Sequence, residues 1–252
     1  MRYSFILLVI LFFGQNTLKA QPLNDSIHFN GESHFANIRQ LTFGGDNAEA
    51  YFSYDGKYLI YQYTNQAKGI NCDQIWMGKI PQEPNETFNP KLVSTGTGRT
   101  TCAFFYPDGK HIIYASTHLN SKECPPVPDR KKYGNKYIWP IYESFDLFKA
   151  DTNGKIIKQL TKTKGYDAEA TISPKGDKIV FTSMRDGDLE LYTMDINGKN
   201  VKRITHALGY DGGAWFSPDG SKIIWRASRP AVEAGIYGYA AILAAVIVRH
   251  VI

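Results

Sequence analysis

Apolar and polar positions along this chain fall into short runs of strand length separated by turn residues, and one arrangement of them occurs four times. The copies read YFSYDGKYLIY at 51–61, FFYPDGKHIIY at 104–114, TISPKGDKIVF at 171–181 and WFSPDGSKIIW at 215–225. In each, aromatic and β-branched residues flank a four-residue polar centre, the signature of two strands joined by a tight turn. Proline at the second turn position presets φ, Asp tolerates the bridge region that follows, and Gly accepts positive φ. Each copy therefore predicts a β-hairpin.

Two further strand patterns lie between the hairpins. One is QIWMGKI at 74–80, repeated as DLFKAD at 146–151 and LELYTMD at 189–195. The other is shorter: RQLT at 39–42, KLVS at 91–94, KQLT at 158–161 and KRIT at 202–205. Asn153-Gly154 and Asn197-Gly198 stand between the two kinds, where a hairpin turn is expected. Each repeat thus makes four antiparallel strands, A (innermost) to D (outermost). With about 44 residues between Gly176 and Gly220, the fold class is an all-β propeller, in which each blade buries its faces against its neighbours.

The segment 39–42 precedes the first A strand and is expected to be an orphan D strand of the kind that closes a propeller ring. After Ser228 the repeat pattern stops. Residues 229–252 form an apolar, alanine-rich tail outside it, giving about three and a half blades. The tail has three readings: a coding sequence cut short or shifted in frame, which is favoured; a terminal helix for a membrane or partner; or a strand that patches the open blade. The fourth B strand and the orphan D strand are expected to leave open edges that promote self-association.

The combination of Leu-Thr strand, Ser-Pro-Asp-Gly turn and Asp-x-Asn-Gly-Lys hairpin, most complete over 189–220, resembles the TolB-type propeller repeats (PD40, WD40-like) of periplasmic and secreted bacterial proteins. The resemblance spans residues 38–228. The stretch 96–144 is similar to an exported TolB-like subgroup. The resemblance implies a six-bladed ring when complete and a location in the periplasm or outside the cell. The repeats are also similar to propellers that precede prolyl-oligopeptidase-type catalytic domains, so the alternative is a gating domain for a hydrolase encoded elsewhere.

Composition changes the picture only at the ends. A chain of 252 residues, 43% hydrophobic and 21% charged, has material for one substantial core. Residues 1–20 read as a secretory signal peptide, with Arg2, an apolar run at 5–13 and Ala20 before Gln21; residues 21–37 read as a linker. The net charge of +5 is modest, and the basic run Arg130-Lys131-Lys132 is a solvated loop, so no nucleic-acid partner is expected. Export allows one disulfide among Cys72, Cys102 and Cys124, and Cys102–Cys124 is the favoured pair, pinning the long insertion after the second hairpin; Cys72 is the free thiol or the alternative partner.

Propeller topology places the D–A and B–C loops on one face. The candidate ligand-binding residues there are Glu49, Arg99, His118, Glu123, Asp167, Glu169, Arg185 and Asp211. Glu49, Cys102, Glu169 and Gly213, each four residues before the first residue of a turn, start the inner strands and should ring the channel mouth, where carboxylates and a thiol suit a cation or cationic ligand. The spacing of His and Cys fits no standard zinc pattern, no cofactor motif occurs, and there is no Gly-x-Ser-x-Gly or His-Glu-x-x-His. The expected function is a non-enzymatic exported scaffold that offers this face to an envelope protein, peptide or glycan. Membrane association is expected only through the tail.

Overall fold

The computed structural model describes residues 29–35, 38–83, 85–134, 139–229 and 245–250. The expected signal peptide and most of the tail lie outside these. Among the described residues fifteen strands form four antiparallel sheets. Blade 1 contains β1 (Asp46–Phe52), β2 (Tyr58–Asn65), β3 (Ile70–Lys79) and β4 (Lys91–Leu92). Blade 2 contains β5 (Thr100–Phe105), β6 (His111–Ser116), β7 (Asp146–Asp151) and β8 (Ile156–Gln159). Blade 3 contains β9 (Asp167–Ile172), β10 (Lys178–Ser183), β11 (Glu190–Asp195) and β12 (Lys202–Arg203). Blade 4 contains β13 (Asp211–Phe216), β14 (Lys222–Ala227) and β15 (Ala245–His250). No helix among the described residues is long and apolar enough to cross a membrane.

The four repeated turns close identically. Gly56, Gly109, Gly176 and Gly220 donate their N–H to Ser53, Tyr106, Ser173 and Ser217 at 2.8–3.2 Å, all with φ of 65–71°. Asp55 and Asp219 accept from the Ser hydroxyl of their own turn. These local bonds set the hairpin register and leave the strands free to present alternate side chains to the two neighbouring blades.

Stability comes from burial between blades. Ile60, Ile75 and Met77 of blade 1 pack against Phe105, Ile112 and Tyr114 of blade 2. The other face of blade 2, with Ile113 and Leu147, meets Ile172, Ile179 and Phe181 of blade 3. Val180 and Leu191 then meet Ile223 and Trp225 of blade 4. On β14, alternation puts Ile223, Trp225 and Ala227 inward and leaves Ile224 39% exposed. Near the axis, Tyr51, Phe104 and Trp215 from blades 1, 2 and 4 meet ring to ring at 5.0–5.7 Å. Among the described residues the buried clusters join blade 1 to 2, 2 to 3 and 3 to 4, while blades 1 and 4 touch through the rings of Tyr51 and Trp215.

Three expectations require correction. Residues 39–42 form no strand; Arg39 instead donates to the carbonyls of Pro81 and Glu83, which ties this segment to the far end of blade 1. A D strand needs a neighbouring C strand, and the blade that would supply it is not among the described sheets. The edge of β14 is covered: Ala245–His250 pairs antiparallel with all of Lys222–Ala227, so part of the tail takes the place of a C strand. The disulfide joins Cys72 to Cys124, not Cys102 to Cys124. Cys102 sits on the innermost strand β5, beside Thr101 and Gln62, whereas Cys72 on β3 lies beside the inserted loop, where the Gly98 N–H holds the Lys122 carbonyl.

Candidate functional site

The inner strands share one irregularity. Each of β1, β5, β9 and β13 is bulged at the same place, and the residue there has left-handed backbone: Glu49 (φ 50°), Cys102 (49°), Glu169 (54°) and Gly213 (58°). Three of the four are not glycine, so the backbone conformation carries a cost that surrounding bonds must offset. Those bonds run from blade to blade. The Cys102 N–H donates to Gln62 Oε1 of blade 1, and the Gly213 N–H of blade 4 to Glu169 Oε2 of blade 3 at 3.1 Å. The predicted ring of channel-mouth residues is therefore a set of stitches between adjacent blades. Spacing locates these positions; their left-handed φ is not visible in residue types as different as Glu, Cys and Gly.

Glu169 is the centre of this network. It is buried, and its carboxylate accepts from Thr182 Oγ1 (2.7 Å) and from the Tyr210 hydroxyl (2.9 and 3.0 Å), with Arg226 Nη2 3.7 Å away. Burial raises its pKa, although these donors and the Arg226 charge pull it down. Burial, helped by Glu169 and Glu49, also pushes the Cys102 thiol well above its ordinary range, so it is a poor nucleophile. Gly212 is required beside this cluster: a Cβ there would lie 2.3 Å from Glu169 Oε2 and 2.4 Å from the Tyr210 hydroxyl.

Two predicted face residues, Asp167 and Arg185, form a clasp. Asp167 opens β9 at 1% exposure; Arg185 follows β10 and donates to both its oxygens at 3.0 and 3.2 Å while stacking over Phe181 and Tyr192. Burial still raises the Asp167 pKa against that pairing. Blade 4 repeats the device. Asp211, fully buried, accepts from Arg229 Nη2 and Trp225 Nε1, both at 2.7 Å. At the matching places blade 2 has Thr100 and His118, and blade 1 has Asn47 and Asn65. His118 rests on the Phe148 ring with Nδ1 2.9 Å from Ser116 Oγ, and burial lowers its pKa. Arg99 pairs with Asp73 of the neighbouring blade.

Glu49 and Glu123 remain exposed. Glu49 accepts only from the Tyr51 hydroxyl in a short bond, and Glu123 lines a cleft of about 270 Å³ beside the disulfide, with Trp76 and Lys122. Among the described residues no cluster of His, Cys, Asp and Glu is arranged to hold a metal. One residue was not singled out in the sequence: Trp139, from the insertion after β6, reaches over blades 3 and 4 to stand edge-on against Tyr166 at 5.7 Å and Tyr210 at 5.9 Å. Its only signal is an aromatic residue in a long polar insertion.

Comparison with known proteins agrees with this architecture. Residues 142–240 match the family model for the TolB beta propeller domain, PD40. Among solved structures, TolB from Acinetobacter baumannii is 18% identical with a TM-score of 0.55, over 75% of this chain and 39% of that one. A nidogen/laminin complex is 13% identical with a TM-score of 0.51, over 73% of this chain and 60% of that one. A putative TolB from Agrobacterium tumefaciens is 20% identical, over 75% and 72% of the two chains, with a TM-score of 0.40. No curated protein matches. The chain spans well under half the length of the Acinetobacter protein. By its repeats and its blades the chain is a β-propeller, and over residues 142–240 it is similar to the TolB beta propeller domain.

Proposed function

We propose that this chain is an exported, non-catalytic binding scaffold whose D–A and B–C loop face receives a protein, peptide or glycan of the cell envelope. One observation carries the reading: that face combines a rigid, stitched base with open chemistry. The stitches and the Asp–Arg clasps hold the loop ends in place, while Glu49, Trp139 and Glu123 stay accessible. A preorganised platform with a few exposed aromatic and charged groups is what recognition needs, since little freedom is lost on binding. The opposite face carries the repeated tight turns, the Asn-Gly hairpins and, in blade 1, the longer β3–β4 connection, which lines a cleft of about 360 Å³.

Peptide and glycan arrays probed with the purified protein test this. Bound ligands should lose affinity for Trp139→Ala and Glu123→Ala and bind Asp108→Ala and Lys175→Ala, on the turn face, unchanged. Ligands sensitive only to the turn-face changes would contradict the assignment, as would an array with no specific ligand.

A further inference from the structure

Three loop-face segments wall the cleft of about 270 Å³ beside the disulfide: the β2–β3 loop with Asn71, the β4–β5 loop at Gly96 and Gly98, and the start of the insertion after β6 with Lys122 and Glu123. Bonds between the walls fix their positions. Gln74 Nε2 donates to the Gly98 carbonyl at 2.9 Å, and Gln74 Oε1 accepts from Ser94 Oγ (2.8 Å) and from the Gly96 N–H (3.1 Å). The Gly98 N–H reaches the Lys122 carbonyl at 2.8 Å, and the Cys72–Cys124 bond ties the insertion to β3. A Cβ at Gly98 would lie 2.8 Å from the His118 nitrogen, so the two loops meet as closely as glycine allows. The cleft is therefore preformed, and a ligand would lose little to the ordering of its walls.

Trp76 forms the aromatic wall. It is half-buried, with its ring edge-on to Tyr63 at 5.6 Å and its indole nitrogen enclosed, so ring carbon is what this side chain shows the cleft. Leu92, paired with Trp76 across β3 and β4 and 38% exposed, continues that surface. Asn71, Lys122 and Glu123 line the same cleft and are exposed, and their side chains make no hydrogen bond or ion pair with the described residues.

We propose that this cleft binds a neutral pyranose ring of a glycan, with the C–H face of the sugar on Trp76 and its hydroxyls on Asn71, Lys122 and Glu123. The three polar groups are an amide that donates and accepts, an ammonium that only donates and a carboxylate that only accepts; hydroxyls, which do both, match all of them. Lys122 and Glu123 carry opposite charges, so the cleft favours neither an anion nor a cation, and an aliphatic side chain would meet the Trp76 ring and satisfy none of the polar groups. The volume is below the roughly 300–1,000 Å³ of sites that enclose drug-sized ligands and suits a single ring. The inference rests on the binding-scaffold reading and narrows its ligand to a glycan.

Saturation-transfer NMR of the purified protein with the methyl glycosides of glucose, galactose, mannose and N-acetylglucosamine tests it, with sorbitol as a polyol that has the hydroxyls and no ring. At least one glycoside should receive saturation on its ring C–H protons, with a Kd of about 1–10 mM, and sorbitol should not. Trp76→Ala should weaken that glycoside about tenfold or more, Asn71→Ala and Glu123→Gln about threefold each, and Lys175→Ala, on the turn face, not at all. Asn71 and Glu123 are exposed, so their variants keep the fold and decide the matter if Trp76→Ala is unstable. No saturation of any glycoside at about 20 mM, equal saturation of sorbitol, or a glycoside bound as well by Asn71→Ala and Glu123→Gln, or by a folded Trp76→Ala, as by wild type overturns the proposal. Array ligands that still depend on Trp139 in that case would leave the scaffold reading intact, whereas array ligands that ignore this face would remove both.

Discussion

Replacing Arg185 by Ala should destabilise the protein far more than replacing an ordinary loop residue would. The Asp167 carboxylate is 1% exposed and the Arg185 side chain 15%, so solvent screens the pair little. Two hydrogen bonds, at 3.0 and 3.2 Å, join them, and the guanidinium also covers Phe181 at 5.2 Å and Tyr192 at 4.8 Å. Removing one partner of such a pair leaves an uncompensated buried charge and costs about 3–5 kcal/mol. For a domain of this size the melting temperature should fall by about 10 °C. The double variant Asp167→Asn/Arg185→Met, which removes both charges, should recover most of that loss. Urea denaturation of the three proteins at pH 7 gives the comparison, with Lys164→Ala as control because its pair with Glu143 is exposed at 89% and 70% and should contribute nothing measurable. A change of under about 1 kcal/mol for Arg185→Ala, or a double variant no better than the single one, would refute the view that the clasp is structural.

Other outcomes follow from the same geometry. The denatured, unreduced protein should show one reactive thiol, Cys102, and the native protein should react slowly, because burial and nearby carboxylates raise that thiol; three thiols before reduction would contradict the Cys72–Cys124 bond. Replacing both of those cysteines by Ser opens a loop with a sequence separation of 52 and should cost up to about 4 kcal/mol by loop-closure entropy. Glu169 has a folded pKa raised above the ordinary 4.5, so it favours the folded state most below that value, and the advantage fades as pH rises through its folded value. Urea stability measured from pH 7 to pH 4 should therefore move in favour of wild type relative to Glu169→Gln, and parallel curves would count against the assignment. Gly212→Ala, whose Cβ collides with the Glu169 and Tyr210 oxygens, should cost about 1–3 kcal/mol by overpacking, while Gly56→Ala, with nothing within 4 Å, should lose only the ease of positive φ.

The hairpins, their order and the blade architecture were legible because local chemistry dictates them. A Pro-Asp-Gly turn between β-branched runs has few alternatives, and β7 runs over Asp146–Asp151 as its pattern predicts. The outermost strands shorten to two residues in blades 1 and 3, where pairing on one side only gives little support beyond Lys91–Leu92 and Lys202–Arg203. For the residues that start the inner strands, place in the fold was legible and bonding partners were not. Counting back from each turn finds Cys102 and Gly213, but a sequence cannot show that their amides are held by the preceding blade, or that Asp167, Asp211 and Arg185 are consumed by pairing within their own blades. The disulfide was misassigned for the same reason: separation along the chain says nothing about which side of a blade a cysteine faces. Trp139 escaped notice because an insertion has no repeat to compare it with.

The scaffold reading is tested most directly by hydrogen exchange on the protein with and without an array-selected ligand. The account predicts added protection in the loops before β5, β9 and β13 and around Trp139, with the Gly56, Gly109, Gly176 and Gly220 turns unchanged. Protection confined to those turns would contradict it.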